Sequence, residues 1–182
     1  MAIELDRFRN FTRTDYVYKE IDHIPLYATV LLPKQVPSGP RPVMIHFHGG
    51  GLVMGDRMYP DWFALWQLQF ALAQGAIIIT PDYRLLPEST GVDIIDDLED
   101  FSKWVHNVLP QKISELSSNI TLDVDNIMAV GESAGGYLAL QSALLFSQSR
   151  ISAVICQYGV LDVDNPSFDQ VPPQDLLSQQ PS

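Results

Sequence analysis

Four short apolar runs, Val43 to Phe47, Ala76 to Thr80, Ile127 to Val130 and Ile151 to Cys156, recur along the chain with helix-like stretches between them. Runs this short, without polar alternation, predict strands buried on both faces. Strands joined through helices predict a mainly parallel sheet, because a parallel pair needs a crossover and crossover helices cover both faces. The fold class expected is therefore α/β.

The remaining elements fit around that alternation. Asp15 to Lys19 and Ile24 to Leu32 read as an antiparallel entry hairpin turning near Asp22, and Pro33 to Pro42 as a proline-rich loop. Asp61 offers an N-cap for a helix over Trp62 to Ala73, closed by Gly75. Ile94, Leu98, Phe101, Val105 and Leu109 line one face of an amphipathic helix limited by Pro110. Asp93, Asp96, Asp97, Glu99 and Asp100 on that helix read as a solvated acidic face rather than a metal site. Tyr137 to Phe146 predicts a further helix. The domain expected is single: an N-terminal segment over 1–13, a core over 14–165 and an irregular tail over 166–182.

Charge and cysteine content narrow the partners. A formal net charge of -11 repels nucleic-acid phosphates and anionic membranes. Cys156 is the only cysteine, so no intrachain disulfide forms, and its apolar run predicts a buried, inert thiol. The first residues lack the apolar stretch of a signal peptide, and no uncharged apolar run reaches membrane-spanning length, so a cytosolic location is expected. Two sequons, at Asn10 and Asn119, read as chance matches in that setting.

The chemistry collects behind three of the strands, where open parallel sheets hold their ligands. Gly131-Glu132-Ser133-Ala134-Gly135 follows the third strand and opens a helix, the setting of a nucleophile elbow in which flanking glycines avoid clashes and the serine hydroxyl is pushed outward. His48-Gly49-Gly50-Gly51 follows the first strand. Its backbone N–H groups at Gly50 and Gly51, with that of Ala134 at the helix start, form a three-donor hole for a developing oxyanion. Asp82-Tyr83-Arg84-Leu85-Leu86-Pro87-Glu88 follows the second.

These three loops resemble those of the hormone-sensitive-lipase-like branch of the α/β-hydrolases, the α/β-hydrolase fold-3 family. The glycine loop, continued by Leu52-Val53-Met54-Gly55-Asp56, resembles its oxyanion loop, and residues 82–88 resemble its tyrosine-arginine-leucine-alanine-proline-glutamate motif, with Leu86 in place of alanine. Residues 131–136 resemble its elbow, with Glu132 where aspartate is more common. The resemblance spans residues 14–165. It implies hydrolysis of a small carboxylic ester by a serine acyl-enzyme route, with no metal or organic cofactor and supporting roles for His48, Gly49, Glu132, Asp82, Tyr83 and Arg84. Tyr83, Arg84 and Glu88 would tie loops together around the site.

The same resemblance puts the triad acid and histidine after the serine. The four histidines, His23, His46, His48 and His106, all precede Ser133, and none is placed as a general base. His46 and His48 share a strand face at two-residue spacing, but no Asp-His pair completes a metal site. Asp162 and Asp164 follow the last strand, where either fits the triad acid or a turn. The resemblance further implies that the last strands and helices of the fold are missing, leaving the 151–156 strand as an unprotected edge prone to self-association. Three readings stay open: a shortened esterase product, a hydrolase-like binding protein without catalysis, and an enzyme completed by a partner chain.

Overall fold

Successive side chains of a strand leave opposite faces, and here both faces are apolar. In the computed structural model, which describes residues 7–146 and 150–162, Val43, Ile45 and Phe47 enter one core cluster with Ile77 and Ile79, while Met44 and Ile78 enter another. The sheet between these clusters runs in the order β1-β2-β4-β3-β5-β6. Its strands are β1 (Phe11–Ile21), β2 (Ile24–Pro33), β3 (Gly39–Phe47), β4 (Ile77–Pro81), β5 (Ile120–Glu132) and β6 (Ile151–Gln157). β4, β3, β5 and β6 are mutually parallel, and the β1–β2 hairpin joins β4 antiparallel.

Helices cover both faces, as the alternation predicts. α1 (Leu65–Gln74) sets Leu68 and Ala71 on the Met44 face. α2 (Gly91–Asn107), α3 (Leu109–Leu116) and α4 (Ala134–Leu145) lie on the Val43 face. From α2 and α3, Ile94, Leu98, Phe101, Val105, Leu109 and Ile113 are all at most 2% exposed. At about 1.5–3 kcal/mol for each buried side chain, this packing outweighs the roughly 1 kcal/mol of the Thr90 cap. That cap is a reciprocal box: Thr90 accepts from the Asp93 backbone N–H at 3.2 Å, and the Asp93 carboxylate accepts from that of Thr90 at 2.7 Å.

Several local expectations are corrected. The helix after the glycine loop begins at Leu65, with Ala64 as N-cap, and Asp61 lies in a separate 3-10 turn over Pro60–Trp62. Pro60 opens that turn with its fixed φ, and extended backbone at Phe63 and Ala64 separates it from α1. The loop over 33–42 is shorter than expected, since β3 starts at Gly39 and its first residues pair with Ile120, Thr121 and Leu122 of a lengthened β5. Pro110 does more than limit a helix: the chain breaks at Val108, and the proline opens α3, where its missing N–H costs nothing.

The acidic stretch of α2 is not simply a solvated face. Asp97 is wholly buried, because Lys19 of β1 and Arg84 of the loop after β4 both close on its carboxylate, Lys19 Nζ at 2.8 Å and Arg84 Nε at 2.9 Å. Cys156 is half-buried instead of buried, since β6 is the edge of the described sheet and none of its residues is fully enclosed. Gly75 closes α1 in the left-handed conformation, as expected. Asp164 and the tail over 166–182 lie outside the described residues, and among the described residues no helix is long and apolar enough to cross a membrane.

Candidate active site

β3, β4 and β5 are parallel, so the loops that leave their carboxyl ends meet on one side of the sheet. The β3–β5 ladder pairs His46 with Val130 and Phe47 with Gly131, which starts the His48 loop and the Ser133 turn side by side.

At that turn Ser133 has φ 52° and ψ -119°, a conformation that side chains avoid and that costs on the order of 1–3 kcal/mol. Its N–H donates to the Gln157 carbonyl of β6 at 2.9 Å, and its carbonyl accepts from Tyr137 in the first turn of α4 at 3.2 Å. The glycines on either side are dictated by packing. A Cβ on Gly131 would stand 2.2 Å from the carbonyl oxygen of Gly135, and one on Gly135 would stand 2.0 Å from that of Phe47. The strand and helix thus close on each other with no room for a methyl group, and Ser133 is left half-exposed at the bend.

The glycine loop turns back through Gly50, at φ +103°, whose carbonyl accepts from both Val53 and Met54 at 3.1 Å. No backbone acceptor among the described residues takes the N–H of Gly50 or Gly51, and the N–H of Ala134 is the first of α4, where a helix leaves its donors open. Gly49 lies against the elbow, its Cβ position 3.0 Å from the carbonyl oxygen of Glu132 and 3.7 Å from Ser133 Cβ.

His48 anchors the loop. Its ring stacks on Tyr83 at 4.3 Å and 11°, its Nδ1 lies 2.7 Å from the Gly49 carbonyl, and the Tyr83 hydroxyl donates to the His48 carbonyl at 2.7 Å. Burial lowers the pKa of His48 despite the opposing pull of the Gly49 carbonyl, which keeps the ring neutral with its proton on Nδ1. Burial, reinforced by the nearby Asp82 charge, raises that of Tyr83, which stays a hydroxyl donor.

A polar network runs beneath the turn. Glu132, 6% exposed, takes hydrogen bonds from Gln67 Nε2 of α1 and from His46 Nε2, the latter at 3.2 Å. His46 also reaches Thr80 at 3.3 Å, and Thr80 donates to the Arg57 carbonyl at 3.1 Å. Arg57 forms an ion pair with Asp82, whose carboxylate also accepts the Arg57 N–H at 3.0 Å. Arg84 grips α2 through Asp97 and Asp93, while Glu88 is exposed with no ion pair among the described residues. Tyr83 therefore joins the loop after β4 to the His48 loop, and Arg84 joins it to α2.

Ser133 opens into a cavity of about 260 Å³ lined by Gly49, Gly50, Asp61, Trp62, Ala64, Glu132 and Tyr158. Trp62, Ala64 and Tyr158 were not singled out from the sequence, and Asp61 only as a helix cap, because the 3-10 turn and the extended residues after it read there as the start of one helix. That turn is held from the amino-terminal side: Arg7 Nη1 donates to the carbonyls of Pro60 and Phe63, each at 3.0 Å, and Phe8 meets Phe63 edge-on at 5.1 Å.

None of the four imidazoles is hydrogen-bonded to Ser133. His23 is exposed in the β1–β2 turn, His46 and His48 are engaged as above, and His106 Nδ1 reaches the Ser102 carbonyl at 2.8 Å. His46 and His48 therefore hold different partners and do not converge. Asp162 is exposed beyond β6, with no hydrogen bond to Ser133.

A family model described as alpha/beta hydrolase fold matches residues 44–181. The chain is 40% identical over 178 residues to a protein named Probable carboxylesterase M8 from Phoma sp., covering 96% of this chain and 56% of that one. It is 41% identical over 106 residues to Probable carboxylesterase clz11 from Cochliobolus lunatus, covering 58% of this chain and 49% of that one. Among solved structures it is similar to the hyperthermophilic esterase of the archaeon Pyrobaculum calidifontis, with a TM-score of 0.64, 26% identity, and coverage of 83% of this chain and 45% of that one. The chain thus spans about half the length of the proteins it matches.

Proposed function

Because the chain belongs to the α/β-hydrolase fold family, we propose that it carries the nucleophile half of a serine carboxylesterase, with Ser133 attacking the acyl carbon of a small carboxylic ester. The observation that carries this reading is the backbone of Ser133 at φ 52° and ψ -119°, beside a glycine loop with open N–H groups. A strained turn of this kind persists where its surroundings impose it, and here it presents the hydroxyl to the cavity.

On this reading the Oγ bonds to the acyl carbon, the negative charge that forms on the carbonyl oxygen is met by the N–H groups of Gly50, Gly51 and Ala134, and the alcohol departs with a proton. Water then releases the acid and restores the serine. His48 and Tyr83 hold the glycine loop, and Glu132, fixed by His46 and Gln67, holds the floor under the elbow. Asp82 secures Arg57, and Arg84 secures α2. No metal or organic cofactor enters this route.

The proton transfer needs a base, and the four histidines of the chain are all engaged away from Ser133. Full turnover on this reading therefore uses a histidine from outside these 182 residues. Losing one triad member has cost on the order of 10⁶-fold in turnover in a serine protease. A fluorophosphonate needs one attack by Ser133 and stops at the phosphonylated serine, whereas turnover of p-nitrophenyl butyrate also needs water activated in every cycle, so the chain by itself should label slowly at Ser133 and sustain no turnover. Fluorophosphonate labelling of wild type and of Ser133→Ala tests this: labelling confined to wild type supports the reading, and equal background labelling of both sinks it. That second outcome favours a hydrolase-like binding protein, a reading motivated by the absence of any imidazole bonded to Ser133.

A further inference from the structure

The cavity that contains Ser133 has an unbalanced chemistry. Two carboxylates, Asp61 and Glu132, and two aromatic rings, Trp62 and Tyr158, line it, and among the described residues no lysine or arginine does. Glu132 lies at its floor, 6% exposed, whereas the Asp61 side chain is 70% exposed at its rim. Tyr158, 77% exposed, stands at the open side. Tyr59 meets Trp62 at 4.9 Å and 57°.

Arg7, which reaches this wall, does not neutralise it. Arg7 Nη2 reaches Asp61 Oδ1 at 3.4 Å, in an exposed pair of the sort that contributes little, while its Nη1 is spent on the carbonyls of Pro60 and Phe63. Arg7 therefore acts as a clamp on the backbone of the 3-10 turn, and its charge lies outside the cavity lining. A formal charge of -11 on the whole chain adds a negative background. Aromatic faces attract organic cations, carboxylates attract them further, and both repel or poorly accommodate an anion.

Resting on the esterase reading above, we infer that this cavity is a subsite for a flat aromatic group without negative charge, positive charge being preferred, stacked on Trp62 beside Asp61. The ester it serves then carries an uncharged or cationic group next to the scissile bond. Esters with a free carboxylate or phosphate there are excluded.

Three para-substituted phenols that share a ring and differ in charge test this by NMR titration of the whole chain, following the Trp62 indole N–H and the Gly49 and Gly50 backbone amides, the amides alone being read in Trp62→Leu. They are 4-(trimethylammonio)phenol, 4-tert-butylphenol and 4-hydroxybenzenesulfonate. The cation should bind roughly fivefold to tenfold more tightly than its neutral isostere, with the sulfonate weakest. The ratio of cation to neutral binding should fall about threefold in Asp61→Asn and with a rise from low to 0.5 M salt, and Trp62→Leu should weaken both ligands. Equal or tighter binding of the neutral phenol overturns the inference. So does a charge ranking that survives Asp61→Asn and Trp62→Leu unchanged, which would place the ligand elsewhere. The titration is repeated in Ser133→Ala, where binding should persist. A chain that ranks the phenols as stated but takes no fluorophosphonate keeps the subsite and loses the nucleophile; a chain that labels at Ser133 without the ranking does the reverse.

Discussion

Gly135 passes so close to Phe47 that a Cβ on the glycine would stand 2.0 Å from the phenylalanine's carbonyl oxygen. Backbone cannot retreat as the tip of a flexible side chain can. Gly135→Ala should therefore force α4 away from the end of β3, with a loss of about 2–4 kcal/mol. Thermal unfolding followed by circular dichroism should show a Tm drop of several degrees or more. An unchanged Tm would mean that helix and strand do not approach this closely.

Ser133 bends the chain at positive φ, so its two small replacements should differ in stability. Glycine relieves the strained conformation and alanine does not. Ser133→Gly should be more stable than Ser133→Ala by about 1 kcal/mol, an unusual order for a glycine. Urea unfolding of the two variants measures the difference, and an alanine variant equal to or better than the glycine one contradicts a strained elbow.

His48 links the glycine loop to pH. Its pKa is lowered by burial, so the folded state favours the neutral ring while the unfolded chain takes up a proton near the ordinary value of about 6.5. The stabilisation due to neutral His48 is thus complete above that unfolded value and is lost as pH falls through the lower folded value. Comparing wild type with His48→Asn by urea unfolding between pH 8 and 5 should show the wild-type advantage shrinking on the acidic side. An advantage that grows with acidity would reverse the assigned direction.

Asp97 depends on its two cations. Arg84→Ala leaves a wholly buried carboxylate with Lys19 as its remaining cation and the residue-84 N–H as a neutral donor, and breaking a buried pair in this way costs about 3 kcal/mol or more. The double variant Arg84→Met with Asp97→Leu removes the charge together with its partner and should recover much of that loss. Failure of the double variant to recover stability would assign Arg84 a role beyond pairing, through its bond to the Asp93 carbonyl at 2.6 Å.

Legibility in the sequence followed the range of the interactions involved. The four apolar runs and the glycine-flanked serine declare themselves within five or six neighbouring residues, since strand burial and the close approach of Gly131 to Gly135 are set locally. Asp97 could not be read in the same way. Its partners lie 78 and 13 positions away, and an aspartate within Asp96-Asp97-Leu98-Glu99 looks identical whether it faces water or two cations. Asp61 was legible as a helix-starting residue by type, yet Pro60 draws it into a short turn whose carbonyl Arg7 holds from 53 positions earlier, a contact that no local pattern announces. The individual bonds of His46, with Glu132 on one side and Thr80 on the other, likewise depend on three strands coming together.

The ladder between β3 and β5 has a consequence for how such a chain can vary in length. With Phe47 paired to Gly131, the distance from glycine loop to serine is fixed by strand register, and inserting or deleting one residue within 43–47 or 127–131 would offset the two by about 3.3 Å and invert the faces of every side chain beyond. Insertions in the connections between strands leave that spacing untouched. Descendants of this sequence are therefore free to lengthen or shorten the connecting segments while the glycine loop and Ser133 keep their spacing.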